Sequence, residues 1–470
     1  MENTPLPSQE AVKAGPVHHD MIYAKSSGAG ISAVAIIRVS GGLVTDLIEA
    51  LTRKPCPQPR YAMLATFYEL APDHSSDHAN IIDRGLLLYF AAPNSFTGED
   101  MAEFHIHGGE SCQKDFMAEL AKFPKCRPAE PGEFTKRAFW NGKMDMVRVE
   151  GLADLIHAQS RAQRKQAAAQ SFGALSNQCH NWLSMLIKMR ANMEALIDFS
   201  DEELPEQIET QLNDQAGALR IAINNSIIDS KKAVKLREGL KLAIIGTPNS
   251  GKSTLLNHLS NEKLALVTEH AGTTRDLIRS HLEIAGVPVT IIDSAGIRTT
   301  ADPIEQQGIA LSHDLLSKAD IAIIMTSIAE SESVNLDLGK MSADQHQTPN
   351  PIRVINKIDL NPEYRKNDQF DHYISLVTQD NVDGLQQDLE SRVRAIAHIA
   401  DMPQFSRQRQ INIIQKIIDA LDGFQESAHD DYGVRAEYLR IASDLMGRLL
   451  GRIDIEQILD KLFNEFCIGK

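Results

Sequence analysis

The period of the apolar positions changes three times along this chain. Up to about residue 143, short apolar runs at 33–39, 85–90 and 103–107 are punctuated by glycine, proline and serine, which predicts strands of a mixed α/β domain. From Glu150 to Lys235 the period becomes helical. Trp182, Leu186, Met189, Met193 and Leu196 share one face, Ile208, Leu212, Ala216, Leu219 and Ile223 repeat the pattern, and Pro205 marks a turn between them. Strand–helix alternation returns from Leu240 to about residue 395. Beyond Phe405 the chain is helical again, with Ile411, Ile414, Ile418 and Leu421 on one face. Helical stretches on both sides of an α/β unit imply that the unit is inserted into a helical domain, with the polar residues 330–350 as an exposed loop within it. The expected divisions are residues 1–143, 144–237, 238–397 and 398–470.

Candidate chemistry concentrates in the second α/β stretch. The apolar run 242–245 leads into Gly246-Thr-Pro-Asn-Ser-Gly251-Lys252-Ser253, after which the chain reads as helix from Thr254. Strand, glycine-rich loop and helix in that order form a P-loop: backbone N–H groups cradle phosphates, Lys252 reaches the β- and γ-phosphates, and the Ser253 hydroxyl ligates Mg²⁺. Asn249, Ser250, Gly251 and Thr254 complete that phosphate-binding set. A second strand, 289–292, ends in Asp293-Ser294-Ala295-Gly296, the DxxG arrangement that faces the metal and the γ-phosphate. A third, 352–355, ends in Asn356-Lys357-Ile358-Asp359. The Asp359 carboxylate can accept two hydrogen bonds from the guanine edge, whereas adenine would leave it unpaired. Between them, Gly272-Thr273-Thr274 supplies a threonine for the Mg²⁺ shell. After residues 373–374 comes Ser375-Leu376-Val377, where GTPases usually carry Ser-Ala-Lys or Ser-Ala-Arg. These motifs predict a guanine-nucleotide site. Ile297 stands where Ras-type GTPases place the glutamine that orients water, so hydrolysis is slow and externally activated or uses another group. Glu305 is the candidate, its alternative being a solvated surface carboxylate; Arg275 and Arg298 are open to either phosphate contact or surface pairing.

Composition narrows the setting. At about 150 residues per domain, 470 residues suggest roughly three domains, and 43% hydrophobic with 24% charged residues excludes a collagenous or wholly disordered chain. Residues 1–16 are polar and proline-punctuated, so no signal peptide is expected, and no run approaches the ~18 apolar residues of a membrane span. Five widely spaced cysteines without a CxxC pair predict reduced thiols in a cytoplasmic protein, without a zinc site or disulfide framework. A formal charge of −15 argues against a general nucleic-acid-coating surface; a nucleic-acid partner must meet a local patch or be held by another protein.

With these motifs in place, the chain resembles the MnmE (TrmE) family of tRNA-modifying GTPases from Asp20 to its last residue. The resemblance rests on Pro93-Asn-Ser-Phe-Thr-Gly-Glu-Asp100, His107-Gly-Gly109, Pro131-Gly-Glu-Phe-Thr135, Arg137-Ala-Phe139, Asn141-Gly-Lys143-Met-Asp145 and the ending Phe466-Cys467-Ile468-Gly469-Lys470. It implies an N-terminal α/β folate-binding and dimerisation domain, a discontinuous helical domain and an inserted Ras-like P-loop GTPase domain. It further implies potassium at the nucleotide: Asn249 matches the family's potassium-binding asparagine, and Thr268-Glu269-His270-Ala271-Gly272-Thr273-Thr274 matches the loop completing the cation's shell, with ligands from Thr268, His270 and Thr273. Glu305 falls on the family's catalytic glutamate. A formyl-tetrahydrofolate one-carbon donor would be held by Arg38, Glu103, Lys143 and Lys470, although the family's usual Pro-Pro-Gly-Arg-Gly-Gly stretch is replaced here and its arginine becomes Ile31. Cys467 is either an inert interface thiol or a thiolate acting near the folate. The implied activity is a homodimeric, potassium-activated GTPase that works with the FAD-dependent MnmG (GidA) protein, as a heterotetramer, to install a carboxymethylaminomethyl or aminomethyl group on C5 of wobble uridine in tRNA. The alternatives are a regulatory GTPase of ribosome assembly without modification chemistry and a stand-alone folate-dependent transferase.

Overall fold

The computed structural model describes residues 20–70, 81–198, 207–228, 230–261, 281–293, 316–330, 351–361, 369–397, 404–428, 431–453, 462–463, 466 and 469. They form two compact units. One comprises the chain up to Ala153, Gln170–Leu212 and the stretch from Gly423; the other comprises Asp154–Ala169 and Asn213–Asp422.

The first unit is organised by a six-stranded sheet. Its strands are β1 (Met21–Lys25), β2 (Ser32–Ser40), β3 (Met63–Tyr68), β4 (Ile81–Phe90), β5 (Met101–Gly108) and β6 (Cys126–Pro128), in the order β3-β4-β5-β2-β1-β6. All neighbours are antiparallel except β1 and β6. Alternation at period two sends Ala35, Ile37 and Val39 of β2, with Ala102, Phe104 and Ile106 of β5, into one apolar core. Helices α1 (Val44–Thr52) and α2 (Glu110–Lys122) cover that face, and Phe67, Phe104 and Phe116 meet with ring centroids 5.2–5.5 Å apart. The same alternation turns Arg38 of β2 and Glu103 of β5, which are register partners, to the other face. There Val34, Leu64 and Leu86 remain exposed.

A helix α3 (Glu133–Trp140) follows, then α4 (Met146–His157), α5 (Arg161–Ser171), α6 (Ala174–Asp198), α7 (Gln207–Ile227) and α8 (Ser230–Glu238). The stripe expected on α6 is its buried face: Trp182, Leu186, Met189, Met193 and Leu196 are all buried, and α6 packs along α12 (Tyr432–Leu450). Asp431 caps α12 by accepting a hydrogen bond from the Val434 amide, and Gly451 ends the helix in the left-handed conformation, φ 85°.

The second unit is a doubly wound sheet. Its strands are β7 (Leu240–Gly246), β8 (His281–Ile284), β9 (Val287–Asp293), β10 (Ile321–Ser327), β11 (Ile352–Asn356) and β12 (His372–Tyr373), in the order β12-β11-β10-β7-β9-β8. Only β8 runs antiparallel to its neighbour. The runs are continuously apolar because parallel strands are covered on both faces, and every residue of β10 is buried. Helices α9 (Lys252–Asn261) and α10 (Val382–Ile396) contribute Leu255, Leu259, Leu385, Leu389 and Val393 to the core, which also takes Ala162 of α5 and Leu236 of α8. Helix α11 (Gln408–Glu426) buries Ile414, Ile417, Ile418 and Leu421. Pro205 and residues 330–350 lie outside the described residues, apart from Glu330 at the end of a short helical turn.

Candidate functional site

In an open α/β sheet, ligands bind at the carboxyl ends of the strands where the order reverses. Strand β7 lies between β9 and β10, and the glycine-rich loop leaves its carboxyl end. Gly246 lies so close to β10 that a Cβ there would sit 2.0 Å from the Met325 carbonyl oxygen. Asn249 adopts the left-handed conformation, φ 61°, and Gly251 has φ 102°. Helix α9 then begins at Lys252, so its first-turn N–H groups and its positive dipole end face the loop. The Lys252 ammonium reaches back to the carbonyl oxygens of Gly246 and Thr247, at 2.9 and 2.8 Å. Ser253 and Thr254 are exposed in that first turn. The hydroxyls of Thr247 and Ser250 are buried without a hydrogen-bond partner among the described residues. The backbone of Asp293 ends β9 in register with Ile244 of β7, beside the loop.

Asn356 joins the phosphate side to the base side. Its Nδ2 donates to the Ser250 carbonyl oxygen at 2.8 Å, and its Oδ1 accepts from the Leu376 amide at 3.2 Å. A Cβ on Gly251 would lie 2.2 Å from the same Nδ2, so only glycine permits this approach. Lys357 then turns left-handed, φ 67°, and presents Ile358–Leu360 as a single helical turn with Asp359 exposed. Ser375, itself fully buried, donates from Oγ to Asp359 Oδ1 at 2.6 Å. Where GTPases usually carry alanine, Leu376 is buried in the sheet's apolar core, while Val377 is 79% exposed. The Leu376 contact to Asn356 runs through its backbone amide and does not depend on the side chain.

A second cluster lies on the face of the first sheet opposite α1 and α2, where Phe134 of α3 packs on Ile22 and Ala24 of β1. Arg38 donates from Nε and from Nη2 to Glu103 Oε1, at 3.0 and 2.8 Å. Its guanidinium lies 5.6 Å from the Phe96 ring centroid and 5.8 Å from that of Phe134. Lys143 Nζ donates to the Pro93 carbonyl oxygen at 2.8 Å, so the loop from Pro93 to Asp100 spans the distance between Arg38 and Lys143. Arg137, wholly buried, fixes that loop from behind through Glu99 Oε1 and Oε2, both at 3.2 Å, and also holds Asp20 and Glu133. Gly469 is held nearby: its carbonyl oxygen accepts from Ser26 Oγ at 3.0 Å, just past β1, whose Ala24 is the register partner of Arg38. Ile31 is 79% exposed in the turn between β1 and β2. Phe96, Phe134 and Arg137 were not singled out by the sequence; each sits in a motif that contained them, but only the fold brings them to Arg38 or to its loop.

Thr268, Glu269, His270, Ala271, Gly272, Thr273, Thr274, Ser294, Ala295, Gly296, Glu305, Cys467 and Lys470 lie outside the described residues. The described cysteines Cys56, Cys112, Cys126 and Cys179 are free thiols. Burial, with the Asp83 carboxylate as an added cause for the first, pushes Cys112 and Cys126 up to about 12, so both are thiols at neutral pH. No helix among the described residues is long and apolar enough to cross a membrane.

A P-loop at a strand-order reversal, latched by Asn356 to a loop that presents an exposed aspartate, defines a P-loop GTPase. Residues 21–143 match the family model described as the GTP-binding protein TrmE N-terminus, and residues 146–467 match that of the MnmE helical domain. The tRNA modification GTPase MnmE of Brucella ovis is 39% identical over 455 residues, covering 96% of this chain and 99% of that one. Its namesake from Parvibaculum lavamentivorans is 39% identical over 453 residues, covering 96% and 100%. Among solved structures, the G domain of the T. maritima FeoB iron transporter is 22% identical, covers 34% of this chain and 99% of that one, and gives a TM-score of 0.24. The chain belongs to the MnmE (TrmE) family.

Proposed function

We propose that this chain hydrolyses GTP in order to modify the wobble uridine of tRNA at C5, as a homodimer acting with the FAD-dependent MnmG protein. The observation that carries the reading is the Asn356 latch, which ties the phosphate loop to the guanine-reading loop in a chain of this family. Backbone N–H groups of the loop and the α9 terminus hold the phosphates, Lys252 neutralises the β- and γ-oxygens, and Asp359, oriented by Ser375, reads the guanine edge. The exposed hydroxyl of Ser253 suits a Mg²⁺ ligand, with Thr274 as its second protein ligand. Asn249, exposed at a left-handed turn of the loop, offers an amide oxygen that suits potassium, with Thr268, His270 and Thr273 completing the shell. A monovalent cation there supplies positive charge to the developing phosphate charge, as an arginine finger does. Glu305 orients the attacking water.

In the N-terminal unit, the largely buried Arg38–Glu103 pair lies beside two aromatic rings, with Lys143 on the Pro93 end of the same loop, a set that fits a pterin bearing amide N–H groups and a glutamate tail. Glu103 would accept pterin N–H groups, and Arg38, Lys143 and Lys470 would take the carboxylates. A bound formyl-tetrahydrofolate supplies the one-carbon unit. The exposed Val34, Leu64 and Leu86 on the same sheet face support dimerisation through this unit. The test is mass spectrometry of tRNA nucleosides from cells deleted for the gene and complemented with wild type, Lys252→Ala or Glu305→Ala. Modified wobble uridine returning only with the wild type is expected; its persistence in the deletion strain would sink the reading.

A further inference from the structure

A chain of formal charge −15 carries a strongly basic surface on two of its helices. Helices α5 and α8 together hold seven basic side chains, Arg161, Arg164, Lys165, Lys231, Lys232, Lys235 and Arg237, against one acidic, Glu238. The two helices lie side by side in opposite directions. Gln163, near the start of α5, donates from Nε2 to the carbonyl oxygens of Leu236 and Arg237 at the end of α8, and Gln166 donates to that of Ala233. Ala162 and Leu236 anchor the pair in the core of the second unit, which leaves Arg161, Arg164 and Lys231 exposed. Asp154 pairs with Arg237 and Asp320 with Lys235.

Helix energetics account for Lys235 and Arg237, which lie in the last turn of α8, but not for the rest of the pattern. Neither helix has an acidic residue in its first turn, where the macrodipole favours anions, and both carry cations there instead. Neither exposes a large apolar side chain, Phe172 and Ile228 lying beyond their ends, so the strip lacks the apolar centre a protein partner would bury. A basic strip without exposed large apolar side chains, along a helix of nine residues, about 13.5 Å, suits a short run of phosphates. We propose that the outer face of α5 and α8 binds the phosphate backbone of the tRNA substrate. The assignment rests on the tRNA-modifying role above and supplies the local patch that the overall negative charge demands. It positions the RNA without reading bases.

The test compares the full-length protein with a triple variant, Arg161→Gln/Arg164→Gln/Lys231→Gln, for binding of an unmodified tRNA transcript by fluorescence anisotropy over a range of KCl. Affinity is expected to fall about tenfold or more, and the slope of log affinity against log salt to decrease by about two to three, roughly one for each phosphate no longer neutralised. GTP hydrolysis without tRNA and the unfolding midpoint stay unchanged, and Arg161→Lys/Arg164→Lys/Lys231→Arg restores binding. Unchanged affinity and slope in the glutamine variant overturn the assignment. So does weaker binding with an unchanged slope, which marks a structural effect, and so does loss of MnmG binding with tRNA binding intact, which marks an acidic protein partner. The tRNA-modifying role fails separately, if the deletion strain keeps its modified uridine.

Discussion

Asn356 illustrates how much a single side chain can settle. One primary amide satisfies a carbonyl of the phosphate loop and an amide of the base loop, so both halves of the nucleotide site depend on it. Asn356→Ala leaves the Ser250 carbonyl and the Leu376 amide buried and unpaired; it should cost about 1–3 kcal/mol in denaturant unfolding and weaken GTP affinity at least tenfold by calorimetry. Gly251→Ala drives a methyl against the same amide from a left-handed backbone and is expected to abolish nucleotide binding outright. Ser375→Ala is the milder counterpart. It frees Asp359 to rotate, and its signature is a loss of discrimination between GTP and ITP larger than any loss of stability, read from competition binding.

At the scale of elements, the buried charges around α3 tie the loop Pro93–Asp100 to β1 and β6. Arg137 meets Asp20, Glu99 and Glu133, while Arg127 meets Asp20 and Glu133. Removing the central cation takes the arginine from Glu99 and one of the two arginines held by Asp20 and Glu133, so Arg137→Ala should cost about 3–5 kcal/mol and fold only in part, as followed by near-ultraviolet circular dichroism. Burial pushes the Glu133 carboxyl up, but hydrogen bonds from Arg127, the Glu130 amide and Arg137 outweigh it and hold it below its ordinary 4.5. The same balance, with Arg127 and Arg137 prevailing over burial, holds Asp20 below 3.8. Because both folded-state values are depressed, their stabilisation is complete above the ordinary values and disappears as pH falls through the folded ones. The unfolding midpoint should therefore decline from about pH 4.5 downward, and Glu133→Gln should flatten that decline while lowering the neutral-pH midpoint.

For the whole molecule, the expected assembly turns on exposed apolar side chains at the β2–β4 part of the first sheet. Val34, Leu64 and Leu86 stand exposed on strands β2, β3 and β4. A charge at the middle of that part, Leu86→Arg, should shift the protein from dimer to monomer in sedimentation velocity while leaving its unfolding midpoint nearly unchanged. Chelation of Mg²⁺ should stop hydrolysis, and exchange of K⁺ for Na⁺ should slow it by an order of magnitude or more, with nucleotide affinity little altered. These measurements separate a cation that acts on the transition state from one that only aids binding.

Much of the nucleotide site was legible in the chain because phosphate and guanine recognition depend on short local segments at strand ends. Gly251, Lys252, Asn356 and Asp359 announce themselves by type and spacing, and the continuously apolar runs before them declare a parallel sheet covered on both faces. The stripe on α6 was equally plain, since a helix writes its buried face at period 3.6. The first sheet was harder: β1, β3 and β6 are short, and β2 pairs with β5, and β1 with β6, across long stretches of sequence. Register alone set Arg38 opposite Glu103, and loop packing alone brought Phe96 and Phe134 beside its guanidinium. The basic surface belongs to the same category. Two ordinary charged helices, well separated in sequence, became one strip only when Gln163 met the end of α8. Local backbone chemistry is written residue by residue in the sequence, whereas an ion pair, a ring stack or a shared charged face exists only after the chain has closed the long loops between its parts.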